Sequence, residues 1–168
     1  MPIDFAFRTI DERNLDSATR FIASQNLGYP NYDAWIEKAR SELSFGIKHG
    51  IAAYSNGVFV GDVIFQRHKQ IAGILEMKNI RIDERLWGRN FASFMLRQAE
   101  SELPNAAIIV DARANQTDMI SFLTKQGYNP VVQIPLYDPN NQDVVMVKFR
   151  GGDKNKIISS IKSNLTYN

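Results

Sequence analysis

Between residues 73 and 128 the sequence runs strand, glycine turn, helix, strand, helix, and this order constrains the fold more than any other feature. Gly73-Ile74-Leu75-Glu76-Met77-Lys78-Asn79-Ile80-Arg81-Ile82 is apolar enough to lie inside a sheet. The turn Trp87-Gly88-Arg89-Asn90-Phe91-Ala92 then opens a helix without a tight side-chain cap. N–H groups at such a start lack intrahelical partners and carry the positive end of the helix dipole, so they suit a phosphate group. Ala106-Ala107-Ile108-Ile109-Val110 is a short buried-type strand. After Asp111-Ala112-Arg113-Ala114-Asn115 comes a helix with Met119, Phe122 and Leu123 on one face, closed by Gly127 and followed by Tyr128.

The rest of the chain falls into compatible elements. Phe5, Phe7 and Thr9 alternate with polar or small residues in a first strand, Asp11 and Glu12 favour a helix start, and Leu15, Ala18 and Ile22 give that helix an apolar face. Tyr29-Pro30-Asn31 breaks the chain, and a second helix carries Trp35, Ala39 and Leu43 at helical spacing. Ser55-Asn56-Gly57 joins strands 51–54 and 58–65 as a hairpin. A further antiparallel pair, 131–137 with 144–149, turns at Asp138-Pro139-Asn140-Asn141. The sum is an α/β (α+β) chain with about seven strands, mostly antiparallel, and about four helices.

Length and composition bound the function. A chain of 168 residues holds one well-packed domain, placed at 1–150, and not two ordinary ones. In 151–168, Ile157, Ile158, Ile161 and Leu165 with three lysines form a short amphipathic helix that docks on the body, on a second copy to give a homodimer, or nowhere. The absence of cysteine excludes disulfides, thiolate metal sites and a cysteine nucleophile, and fits a reducing cytoplasm. The first residues, Met1-Pro2-Ile3-Asp4-Phe5, have no basic n-region or long apolar core, and no stretch has the length of a membrane span. His49 and His68 read as solvated turn residues, so no metal is implied. A net charge of +2 is too small to imply nucleic acid by itself.

At residues 83–92 and 115–128 the chain resembles the GNAT superfamily of acyl-CoA-dependent N-acyltransferases. The family signature Arg/Gln-x-x-Gly-x-Gly/Ala follows its fourth strand, and here Asp83-Glu84-Arg85-Leu86 fills the connector. In that register Trp87 takes the Arg/Gln position, Asn90 the central Gly and Ala92 the last. The alternative register, starting at Arg85, matches the Arg and Gly88 but shortens the connector and ends on Asn90. The first is preferred, because Asn tolerates the left-handed backbone better than other residues with a side chain. The resemblance implies acetyl-CoA as acyl donor, with pyrophosphate held at Trp87, Gly88, Arg89, Asn90, Phe91 and Ala92. It also implies a bulge near Lys78-Asn79 that splays the fourth and fifth strands, where the acyl-pantetheine arm pairs with backbone around Ile80 and Ile82. A central strand apolar on both faces explains the same pattern without a bulge. The family's asparagine, often a CoA contact, falls on Gln116 or Asn115, and its tyrosine, often the general acid, falls on Leu123.

Attack on a thioester requires a neutral amine, hence a base. Glu76, polar in a run otherwise apolar from Ile71 to Met77, is the candidate base, and many members of the family carry a glutamate on this strand. Its competing role is an ion pair with Lys78, Arg81 or Arg67. For the acid the sequence offers Tyr128, Tyr137, Ser121 or a water. Tyr29, Tyr32 and Trp35 lie where the family forms one wall of its acceptor cleft; Tyr29 reads as an exposed loop residue and Trp35 as core. The acceptor reads as a small-molecule or peptide amine, with a nucleic-acid-linked amine such as a charged tRNA as the alternative drawn from the pI of 8.9 and Arg67-His68-Lys69. A GNAT-like binder without turnover is the reading from another class.

Overall fold

A computed structural model describes residues 4–25 and 28–165, so Met1, Pro2 and Ile3 lie outside the described residues. Among the described residues seven strands and five α-helices follow one another as β1 (Phe5–Thr9), α1 (Leu15–Ala23), α2 (Tyr32–Ser44), β2 (His49–Ser55), β3 (Val58–Arg67), β4 (Ile74–Ile82), α3 (Phe91–Glu102), β5 (Ala107–Arg113), α4 (Thr117–Lys125), β6 (Asn129–Ile134), β7 (Asp143–Phe149) and α5 (Lys154–Asn164). The sheet order is β1-β2-β3-β4-β5-β7-β6. β4 and β5 run parallel, and the pairs β1–β2, β2–β3, β5–β7 and β6–β7 are antiparallel. No described helix is long and apolar enough to cross a membrane.

The chain divides into two compact units, Met1–Gln66 with Lys78–Glu102, and Arg67–Met77 with Leu103–Asn168. In the first, Asn56 (φ 49) and Gly57 (φ 80) close the β2–β3 hairpin, as left-handed residues do in the two-residue turns that match strand twist. Two clusters hold its helices to the sheet: Ile10, Ala18 and Ala52, and Ile22, Tyr32, Ile36 and Ile64. The buried residues of α2 are Tyr32, Ile36, Ala39 and Glu42; of the expected Trp35-Ala39-Leu43 stripe, Ala39 is buried and Trp35 and Leu43 are half-buried against the core. α1 begins at Leu15, later than the acidic pair suggests, because Asp11 is occupied as a turn in which Asn14 N–H donates to its carbonyl and Arg13 pairs with its carboxylate.

In the second unit the parallel ladder runs from Ile74↔Ala107 to Met77↔Val110, less than half of β4. It stops where the apolar phase of β4 slips, with Asn79 and Ile80 both buried. Ile74, Ala107, Ile109, Val145, Val147 and Ile161 form the core. α5 enters it through Ile161, fully buried, with Ile157 and Leu165 packed alongside. Burial of one such isoleucine stabilises by about 1.5–3 kcal/mol. Asp153 caps this helix by accepting from the N–H groups of Asn155 and Lys156. β6 ends at Ile134, earlier than expected, and beyond it Leu136 N–H donates to the Asp143 carboxylate.

Candidate active site

The segment between β4 and α3 is built within the first unit. Asp83 N–H donates to the Val60 carbonyl at 2.7 Å, and Asp83 in turn accepts from the backbone and guanidinium of Arg85, which together hold its carboxyl down to about 2. A single 3-10 turn, Glu84–Leu86, leads to Trp87, whose indole N–H donates to Ile82 O at 3.2 Å while 63% of the residue stays exposed. Gly88 (φ 77) and Asn90 (φ 64) both adopt the left-handed conformation. α3 then starts, with Phe94 N–H donating to Asn90 O, and the Phe91 ring stacked on Phe5 of β1 at 3.9 Å. The N–H groups of Gly88, Arg89, Asn90, Phe91 and Ala92 have no hydrogen-bond partner among the described residues. They stand at the start of a 12-residue helix, where unpaired donors and the helix dipole favour an anion.

Glu76 lies on the part of β4 that belongs to the second unit. Its Oε1 is 3.8 Å from Nε2 of His68, and the two side chains are 17% and 9% exposed. His68 is thus no solvated turn residue, despite its Arg67-His68-Lys69 setting. Its Nδ1 accepts from the backbone N–H groups of Gln70 and Ile71, 3.1 Å each, and its own N–H donates to Ile74 O, so the ring is folded into the β3–β4 connection. Arg67, a sequence candidate to pair with Glu76, donates to the Pro104 carbonyl. His49 likewise sits in β2, its ring against Phe65.

In the same unit Asn115 is exposed and Gln116 half-buried, in the turn from β5 to α4. Leu123 is fully buried. Of the sequence's proton donors, Tyr128 is only 1% exposed and lies beneath the Lys148 ammonium, 5.8 Å from its ring. Tyr137 is exposed and its hydroxyl donates to Asp111 at 3.0 Å, while Ser121 is exposed on α4.

In the first unit Tyr32 is buried and its hydroxyl donates to Ile22 O at 2.6 Å, tying α2 to α1. Tyr29, expected in an exposed loop, and Trp35, expected in the core, are both half-buried against the cluster that contains Tyr32. Asp62 of β3, which the sequence reading did not single out, has no exposed surface. Both its oxygens accept from the Asn79 amide, at 2.9 and 3.1 Å. Burial pushes its carboxyl up to about 7, with the Asn79 hydrogen bond and the Arg81 charge opposing. Burial also pushes the Tyr32 phenol up, Arg81 opposing and Asp62 adding to the rise.

The fold is that of the GNAT acetyltransferases. An acetyltransferase of the GNAT family from Streptococcus pneumoniae superposes with a TM-score of 0.67 at 15% identity, over 88% of this chain and 100% of that one. A ribosomal-protein-alanine N-acetyltransferase from Escherichia coli gives 0.71 at 16% identity, over 90% and 98%. A mutant spermidine N-acetyltransferase from Vibrio cholerae gives 0.67 at 12% identity, over 86% and 93%. No protein-family model and no curated protein matches the sequence itself.

Proposed function

We propose that the chain is an N-acetyltransferase that moves an acetyl group from acetyl-CoA to a primary amine by direct attack. The observation that carries this reading is the row of partnerless N–H groups from Gly88 to Ala92 at the start of α3, which suits a pyrophosphate. Trp87 would bound this cradle, and Arg89 would add positive charge. Ile80 and Ile82 would offer backbone to the pantetheine arm, and Asn115 and Gln116 would contribute polar contacts. Acetyl-CoA supplies the thioester: the amine nitrogen bonds to its carbonyl carbon, the carbon–sulfur bond breaks, and CoA leaves as the thiol.

Glu76 takes the proton that the acceptor ammonium must lose before it attacks. Glu76→Gln keeps the shape and removes the basicity, so CoA binding is retained and turnover falls on the order of a hundredfold to ten-thousandfold. Wild-type turnover by this variant would remove Glu76 from the mechanism. A buried Leu123 at the family's tyrosine position favours a second reading, an acyl-CoA binder without turnover. Thiol release from acetyl-CoA against pools of small amines, peptides and charged tRNA separates the two and sorts the acceptor classes. The acceptors named for the neighbours, a protein alanine and spermidine, make amines and peptides the first to try. A cysteine-free chain drawing on acetyl-CoA fits the cytoplasm.

A further inference from the structure

The imidazole of His68 can carry its proton on either nitrogen, and its hydrogen bonds decide which. Nδ1 accepts from two backbone N–H groups, Gln70 and Ile71, so that nitrogen presents a lone pair and bears no proton. The neutral ring therefore holds its proton on Nε2, the nitrogen that faces Glu76 Oε1 at 3.8 Å. That gap is one small rotation, or one bridging water, from a hydrogen bond. The ring has little freedom to turn elsewhere, because it is 9% exposed and anchored through Nδ1 in a connection whose backbone is tied by His68 N–H to Ile74 O.

We propose that His68 is a positioning residue for Glu76: the β3–β4 connection locks the imidazole as an Nε2–H donor that fixes the orientation of the Glu76 carboxylate. The proposal rests on the catalytic reading of Glu76 given above. A base works only when its oxygen is held within hydrogen-bond reach of the proton it removes, and a displacement of about 1 Å costs up to a hundredfold in rate. A glutamate side chain on a strand has three rotatable bonds, so a fixed donor beside its carboxylate reduces that loss. The same arrangement, a ring oriented through one nitrogen so that the other meets its partner, is how histidines are set in metal and triad sites.

Two substitutions separate this role from a merely structural one. His68→Asn keeps a side-chain acceptor for the Gln70 and Ile71 N–H groups but removes the donor that faces Glu76. His68→Gln places an amide N–H near the former Nε2. With acetyl-CoA and, as acceptors, an alanine-leading peptide and spermidine, His68→Asn lowers kcat about tenfold or more with an unchanged KM for acetyl-CoA. His68→Gln recovers part of the loss. Wild-type kcat for His68→Asn, alongside a slow Glu76→Gln, overturns the inference and leaves the base assignment standing. Full activity of Glu76→Gln removes the base assignment and His68's role with it. A readout independent of turnover is the nitrogen NMR of the wild-type imidazole. The expected signature is a protonated Nε2 and a bare Nδ1, with the Nε2 resonance moving in Glu76→Gln; an Nδ1–H tautomer, or an Nε2 signal indifferent to that substitution, overturns the proposal even if neither acceptor is turned over or a variant fails to fold.

Discussion

Two turns in the first unit each place an asparagine and a glycine in the left-handed region, with different hydrogen bonding around them. At Asn56-Gly57 (φ 49 and 80) the left-handed backbone closes a hairpin, Asn56 N–H donates to Asp4 O at 2.8 Å, and the Asn56 side chain accepts from Asp4 N–H at 3.0 Å. At Gly88-Arg89-Asn90 two left-handed residues (φ 77 at Gly88, 64 at Asn90) flank Arg89 instead of following one another, and five consecutive N–H groups from Gly88 onward make no hydrogen bond among the described residues. The first turn ties Asn56 to Asp4 through both backbone and side chain, whereas the second leaves its backbone donors unpaired among the described residues. Left-handed Asn and Gly therefore mark a bend in the chain, and the hydrogen bonds around them distinguish one such bend from the other.

The sharpest way to break this contrast is to fill the second turn. Ala92→Glu puts bulk and a negative charge at the start of α3. In CoA at about a thousand times its Kd the wild type gains about 4 kcal/mol of stability, and the variant gains none while melting like the parent without ligand. Unchanged melting of the wild type in excess CoA and acetyl-CoA would end the cofactor assignment.

Asp62 is a third case, a buried carboxyl whose oxygens both accept from Asn79. Its folded-state value of about 7 lies above the ordinary 3.8, so the folded protein holds this proton more tightly than the unfolded chain. The stabilising difference is complete below about pH 4 and is lost as pH rises through about 7. Asp62→Asn removes the titration. Relative to wild type, its stability therefore improves between pH 4 and pH 7 by about 3–4 kcal/mol, followed by thermal melts across that range. A constant difference between the two proteins over those pH values contradicts the assignment.

A smaller effect tests the hairpin. Gly57→Val, a branched side chain forced into the left-handed region, costs about 1–2 kcal/mol and leaves CoA affinity untouched. If CoA binding weakens in step with stability, the two turns are coupled and the contrast between them fails.

The hairpin was legible because Asn-Gly between two strand patterns leaves few local alternatives, and the strand–helix order from β4 to α4 was legible for a similar reason, each boundary carrying its own glycine or change of period. Asp62 was not. In Val60-Gly61-Asp62-Val63-Ile64 it reads as the polar position of an alternating strand, and nothing in the residues says that β3 lies inside the sheet and is buried continuously from Val60 to Gln66. Its neighbour Gly61 carries that information in retrospect, since a Cβ there would stand 2.8 Å from Arg81 O. His68 was hidden for the opposite reason. Two flanking cations suggest solvent, whereas the fold of the connection around Nδ1 depends on backbone groups two and three residues on. Side-chain identity at Glu76 was readable; the donor that faces it required three dimensions.

Ile161 closes the core of the second unit against Ile74 and Ala107, so the last helix and the first residues of β4 belong to one cluster although most of that unit's sequence lies between them. In kinetic terms this contact is as non-local as the hairpin is local, and closing it costs the entropy of a long loop. A hairpin such as β2–β3 forms in about 1–10 microseconds, while late seating of α5, after the folding barrier, is the expectation that its long loop sets. Ile161→Val, at a cost of about 1 kcal/mol, therefore accelerates unfolding and leaves the refolding rate nearly unchanged. On that outcome the helix is a latch, governing how long the native state lasts more than how quickly it is reached; a slowed refolding rate in the variant would contradict it.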